Sequence, residues 1–342
     1  MKITDVRAIQ PLGENSPPDW RTSLGQILIA LDTDCGITGY GVGGGGLAGI
    51  HVVRTVLRDL LLGRNPEEIS QLWNEMYQAT LAFGRKGIAV MAISGVDLAL
   101  WDLRGKSEKL TIVSLLGGIP GQNIPTYHTV WDHRDLSSAT EYAGYKLHLG
   151  KVAAPARQDV MISAIEQARA QIGSDRLLMV DAWMKWDVDS TIAISKDIAA
   201  YQIEWIEEPL SPDDLAGYAV LKEKSAVPIA GGEHEFTSAA FGPLISQKLH
   251  SIFQPDVCWC GGLTELIKIY TMAKEARLRV CPHRGCEIWA LHAIAALDPR
   301  PLAETGRPWM TWVKGQPEIQ NGTIELSDRP GFGLTFDEHT LK

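Results

Sequence analysis

IEWIEEPL, residues 203–210, reads as a short buried strand that stops at two adjacent carboxylates and a proline. Burying an unpaired carboxylate is costly, so Glu207 and Glu208 mark either a polar turn or a site for a cation. The flanking sequence decides between these. RLLMVDAW (176–183) ends its apolar run at Asp181, 26 residues before Glu207, and VPIAGGEHEF (227–236) reaches Glu233 26 residues after it. SIFQPDV (251–257) brings Asp256 23 residues further on, LRVCPHRG (278–285) brings His283 after another 27, and RPLAETG (300–306) brings Glu304 after 21 more.

A closed barrel of eight βα units uses roughly 30 residues per unit and gathers its C-terminal strand ends at one mouth, where active sites sit. Polar residues recurring at about one per unit are therefore expected to be neighbours around a single rim. A lone strand-terminal acid is ordinary, because Asp caps the helix that follows. Six in register are not six independent caps. Side chains alternate along a strand, so only one of Glu207 and Glu208 faces inward, and symmetry with Asp181 and Glu233 favours Glu207.

Asp181, Glu207 and Glu233 would form a triply negative, all-oxygen site, which suits Mg²⁺, with Mn²⁺ as the alternative. His234 is expected to point away from that ion by strand parity and to reach substrate from the rim. Asp256 and His283 fall on neighbouring strands, and a carboxylate beside an imidazole fixes its tautomer and raises its basicity, the arrangement of a general base. No serine sits in a GxSxG elbow, which argues against a hydrolase triad. AGYKLHLG (143–150) sets Lys146 and His148 on one face of a strand, where both can enter the mouth opposite His283.

Upstream the pattern is α+β. KITDVRAIQP and GQILIALDTDCGITGYG read as strands, and GIAVMAISGVDLALWDLRGK as a helix apolar nearly all round and therefore buried. The run Gly43–Gly46 lacks GxGxxG spacing and reads as a hinge or lid. From about Thr126 strands alternate with amphipathic helices for seven or eight units, and the tail returns to β sequence with Asn321-Gly322 as a turn. The expected division is 1–118, a capping domain; 119–314, a barrel; and 315–342, a segment returning to the cap.

The 342 residues carry a net charge of −9, which argues against nucleic acid or an anionic membrane surface as partner, while a bound cation would still admit an anionic small molecule. The five cysteines include no CxxC, and Cys258-x-Cys260 reads as two small buried residues. No signal-peptide core or membrane-length apolar run is evident, so a cytoplasmic setting is expected.

AISGVDLALWDLRGK with LLGG, then WIEEP, GGE, QPD and PH in order, resembles the enolase superfamily, mandelate racemase subgroup, over nearly the whole chain. The resemblance implies a modified TIM barrel, (β/α)₇β, under an α+β capping domain completed by the C-terminal segment. It implies Mg²⁺ on Asp181, Glu207 and Glu233 (Glu207 rather than Glu208), a His283–Asp256 dyad, and Glu304 bonded to the substrate carboxylate. Within the subgroup, VDAWMKWDV, GEHEFTS, QPDVCWCGGLTEL and DRPGFGL are most similar to acid-sugar dehydratases of the L-rhamnonate type. Many subgroup members carry Lys-x-Lys where this chain has Lys146-Leu147-His148, so the acid that assists the leaving group is Lys146, His148 or His283 itself.

The expected reaction is removal of the proton α to a sugar-acid carboxylate and loss of the C3 hydroxyl, giving a 2-keto-3-deoxy acid. A racemase, epimerase or cycloisomerase would share the same enediolate, and a non-catalytic sugar-acid binder would keep the barrel. Trp20, Arg21, Arg85, Trp183 and Arg284 are the candidates for reading the sugar, and a homo-oligomer is expected by analogy.

Overall fold

The computed structural model describes residues 1–11, 25–136, 142–150, 157–305 and 313–336. Strands β1 (Ile3–Ile9), β2 (Ile27–Thr33) and β3 (Thr38–Gly43) form an antiparallel sheet in that order. Helix α1 (Gly46–Val52) runs through a π-helical turn, Val53–Leu57, into α2 (Arg58–Leu61), and α3 (Ile69–Gly84) and α4 (Ile88–Glu108) complete the capping layer. Helix α4 is buried on most of its surface, as its all-round apolar pattern requires.

Alternate glycines explain how α4 lies so close to the sheet. Residues 39, 41 and 43 share one face of β3 because side chains alternate along a strand. A Cβ at Gly41 would stand 2.1 Å from Gly95 O, and one at Gly43 2.3 Å from Met91 O. Gly43–Gly46 is therefore a buried packing seam, with Gly44 N donating to Met91 O, and not the hinge or lid that its composition suggests.

After α5 (Ile112–Leu115) the barrel begins. Its parallel strands are β4 (Asn123–Val130), β5 (Gly144–His148), β6 (Leu177–Asp181), β7 (Ile203–Glu207), β8 (Ile229–Gly231), β9 (Ile252–Phe253), β10 (Arg279–Val280) and β11 (Ala303–Thr305). Strand β11, the last of these, pairs in parallel with β4, the first. Helices α6 (Gln158–Ile172), α7 (Val188–Ile198), α8 (Leu215–Lys224), α9 (Thr237–Gln247), α10 (Gly262–Ala276) and α11 (Ile288–Leu297) connect β5 through β11. Between β4 and β5 the described residues hold only a short 3₁₀ turn, His133–Asp135. Among the described residues no helix is long and apolar enough to cross a membrane.

One layer inside the barrel is apolar: Tyr127, Met179, Trp205, Ala230, Ile252, Cys281 and Leu302 pack together. Two residues after six of these the same inward face becomes polar, giving Thr129, Asp181, Glu207, Gln254, His283 and Glu304; after Ala230 the period breaks at Gly232, φ 120°, and the acid is Glu233, three residues on. The hydrophobic layer is the floor of the mouth, and the strand period of two places the polar ring on it.

The tail forms the expected hairpin, β12 (Ile319–Gln320) and β13 (Thr323–Glu325), with Asn321 and Gly322 both at positive φ, 51° and 73°. Strand β13 pairs antiparallel with the start of β4. The chain then returns to the cap, where Phe332 N donates to Asp102 Oδ1 at 3.0 Å.

Candidate active site

The polar ring is dense in buried charge. Lys146, fully buried on β5, has its Nζ 2.6 Å from Glu207 Oε1, 2.8 Å from Glu304 Oε1 and 4.0 Å from Asp181 Oδ2. Glu207 also accepts from Gln254 Nε2 at 2.6 Å and Trp205 Nε1 at 3.3 Å, both on its Oε2. Burial pushes the Glu207 carboxyl up; Lys146 opposes that rise, and the Glu304 and Glu233 carboxylates add to it. Glu304 also accepts from Thr129 Oγ1 at 2.5 Å and from Arg284 N at 2.9 Å.

Asp256 and His283 meet as their spacing suggests, with His283 Nδ1 2.9 Å from Asp256 Oδ2. The bond to a carboxylate puts the ring hydrogen on Nδ1 and leaves the lone pair of the neutral imidazole on Nε2. That nitrogen faces Glu233, 3.1 Å from Oε2. His148 has the opposite tautomer: its Nδ1 accepts from Gly150 N at 3.2 Å, so its hydrogen lies on Nε2, 3.5 Å from Asp181 Oδ2. Trp131 stacks on the His148 ring at 3.8 Å between centroids, and Trp183 tilts toward it at 5.9 Å.

Glu208 turns out of the ring. It adopts φ 34°, accepts from Gly232 N at 3.1 Å, and meets His234 Nδ1 at 2.6 Å. Strand parity does not extend to His234, because β8 ends at Gly231 and Gly232 takes φ 120°. His234 Nδ1 therefore lies 3.6 Å from Glu233 Oε1, and burial, which would lower its pKa, is outweighed by Glu208 and Glu233, which raise it to about 9. Among the described residues, Glu208, Glu233 and His234 place ligand atoms within 4.8 Å of one another. Of the expected metal triad only Glu233 belongs to this group; Lys146 Nζ lies 4.0 Å from Asp181 and 2.6 Å from Glu207, the other two members.

Arg284 is buried and forked onto Glu287, with Nε and Nη2 at 2.9 and 2.6 Å from Oε1, which leaves its backbone N–H, not its guanidinium, on Glu304. Trp183 is exposed at the rim. Arg85 lines a cleft of about 300 Å³ with Tyr77, Pro212 and Phe236. Trp20 and Arg21 lie outside the described residues. Cys258 and Cys260 are buried. Sequence reasoning did not single out Thr129, Trp131, Gln254 and Glu287. Gln254 carried a readable signal, since it stands two residues after inward-facing Ile252; Trp131 and Glu287 reach the site through loops, where no period operates.

The donor set fits a hard divalent cation. Asp181, Glu207, Glu208, Glu233, Asp256 and Glu304 are all buried, against Lys146, a His234 paired with Glu208, and an Arg284 already committed to Glu287. Such an excess of buried negative charge is stable only with added protons or a cation.

Residues 21–117 match the mandelate racemase/muconate lactonizing enzyme N-terminal domain and residues 132–340 the enolase C-terminal domain-like family. The chain belongs to this branch of the enolase superfamily. A protein of Caldivirga maquilingensis, provisionally named an L-rhamnonate dehydratase, is 33% identical over 98% of this chain and 87% of its own length. The crystal structure of rhamnonate dehydratase from Gibberella zeae, complexed with Mg, superposes with a TM-score of 0.89 at 27% identity, covering 99% of this chain and 95% of that one. The 3,6-anhydro-D-galactonate cycloisomerase of Zobellia galactanivorans superposes with a TM-score of 0.88, also at 27% identity, over 100% and 98%. The superfamily member described here thus shares its fold with enzymes that eliminate water and with one that isomerises.

Proposed function

We propose that this protein is a Mg²⁺-dependent acid-sugar dehydratase, with Mn²⁺ as an alternative ion, acting on an aldonate or aldarate. Asp181, Glu207 and Glu233 would hold the cation. A cation there neutralises the negative charge that builds on a substrate carboxylate as its α-proton leaves, as enolase-superfamily sites generally do. The observation that carries the reading is the His283–Asp256 contact, which turns the basic Nε2 of a buried imidazole toward Glu233.

In this scheme His283 Nε2 takes the C2 proton, and the C–H electron pair moves onto the carboxylate. The C3–O bond then breaks and the hydroxyl leaves as water, taking a proton from a group on the opposite side of the mouth. Lys146, an ammonium held between Glu207 and Glu304, is one candidate; His148 is the other, and it would give the proton from Nε2 only as the imidazolium, since a neutral ring that lost that hydrogen would become an imidazolate. The enol product tautomerises to a 2-keto-3-deoxy acid. Glu304 supports the substrate carboxylate, while Trp183 and His234 line the rim around the sugar chain. Arg284 contributes through its backbone and its grip on Glu287.

Proton NMR in D₂O with Mg²⁺ and a panel of acid sugars tests the reading. A new C3 methylene with a keto acid is expected, and His283→Asn should abolish it. Normal turnover by that variant removes His283 from the scheme. The likeness to a cycloisomerase supports a second reading, expulsion of an intramolecular ether oxygen, which would give a product of unchanged mass.

A further inference from the structure

The carboxylate of Asp256 is oriented by a tight turn. Its own Oδ1 accepts from Cys258 N at 2.8 Å, and its carbonyl accepts from Trp259 N and Cys260 N at 2.9 and 2.7 Å. The barrel grips this turn through Thr237 N, which donates to Cys260 O at 2.9 Å. Capping-domain side chains grip its far end. Trp73 Nε1 donates to Gly261 O at 2.7 Å, and Ser94 Oγ accepts from Gly261 N at 2.9 Å. Asp97 takes both donors of Thr264 in the first turn of α10, Thr264 N on Oδ2 at 2.9 Å and Thr264 Oγ1 on Oδ1 at 2.5 Å, and the backbone N–H of Leu263 as well. Trp101 Nε1 adds a donor to Thr264 Oγ1 at 3.0 Å.

Asp97 is an expensive choice for a fastening. It is wholly buried, and burial pushes its carboxyl up to about 7, with Glu265 the charged neighbour. The backbone bends to admit it: Gly261 and Gly262 sit at φ 109° and 83°, and a Cβ at Gly262 would stand 2.4 Å from Asp97 Oδ2. Asp102, on the same helix, is buried as well, yet it binds Tyr40 N, Phe332 N and Lys106 Nζ, all outside the barrel mouth. The two aspartates share a helix and a burial class but differ in what they hold.

We propose that Asp97 is a positioning residue for the His283–Asp256 pair, so that the capping domain sets the dyad's geometry through the turn 256–264. The inference rests on reading that pair as the proton-abstracting dyad. A misplacement far from the chemistry can lower turnover roughly 10- to 100-fold without altering binding, so Asp97→Asn is expected to lower kcat by that factor with KM nearly unchanged. Thr264→Val, which removes the hydroxyl donor and keeps the backbone donors, should lower kcat by a smaller factor. Asp102→Asn is the control and should leave kcat near the parent value while lowering the melting temperature.

The second measurement is the imidazole N–H signal of His283 in ¹⁵N-histidine-labelled protein with Mg²⁺, assigned by its loss in His283→Asn. That signal should shift in Asp97→Asn and Thr264→Val and stay in place in Asp102→Asn. Unchanged kcat and an unmoved signal in a folded Asp97→Asn overturn the proposal, as does an equal kcat loss in Asp102→Asn. Should Asp97→Asn not fold, the same two readouts on Thr264→Val decide. If His283→Asn turns over normally the dehydratase reading fails separately, and the N–H signal still decides whether Asp97 orients the pair.

Discussion

Lys146 Nζ stands 2.6 Å from Glu207 Oε1 in a pocket from which water is excluded at both side chains. Removing one member of a buried pair leaves the other charge uncompensated, typically at about 3–5 kcal/mol. Lys146→Met is therefore expected to lower metal-free stability by about that amount. Added Mg²⁺ should recover part of the loss, because a divalent cation supplies the missing charge to the same carboxylates. Urea unfolding with EDTA and with Mg²⁺ checks this, and equal midpoints for parent and variant in EDTA would refute it.

Asp256→Asn keeps the shape beside His283 Nδ1 and removes the charge that favours the imidazolium. General base catalysis contributes roughly 10²–10⁴-fold, and a drop of about that size in kcat is expected, with thermal stability little changed. Steady-state kinetics beside a melting curve separate the two effects. A kcat within a few-fold of the parent would contradict the dyad.

His148→Asn should uncouple the two halves of the reaction. If His148, as the imidazolium, gives its Nε2 proton to the leaving hydroxyl, the variant should still exchange the substrate's C2 proton in D₂O while keto-acid formation falls roughly 10²-fold. Loss of exchange and dehydration together would assign His148 to another role.

Two buried histidines predict an acid-sensitive fold. Burial lowers His292 to about 3 and His250 to about 4, and His292 Nδ1 accepts from Val113 N. Because the folded-state pKa lies below the unfolded value near 6.5, their contribution is complete above pH 6.5 and is lost as pH falls toward 4. Each accounts for roughly 3 kcal/mol over that span. His292→Asn, which keeps an acceptor for Val113 N, should flatten the pH dependence of the urea midpoint between pH 6.5 and 4; an unchanged slope would show that other groups govern it.

Strand parity made much of this protein legible from sequence. A period of two carries the apolar layer of Met179, Trp205, Cys281 and Leu302 into the polar layer of Asp181, Glu207, His283 and Glu304, so the ring follows from local residue order once a barrel is inferred. The same period made Glu207 the inward member of its pair. Turns and loops were not legible in that way. The left-handed backbone at Glu208 and Gly232, the stacking of Trp131 on His148, the grip of Asp97 on Thr264 and the packing of Gly43–Gly46 against α4 join residues far apart in sequence. Sequence determined which side chains could face the mouth, because that is set by alternation along each strand. Tertiary structure decided which charges met and which nitrogens kept their lone pairs, because those depend on distances between strands and domains.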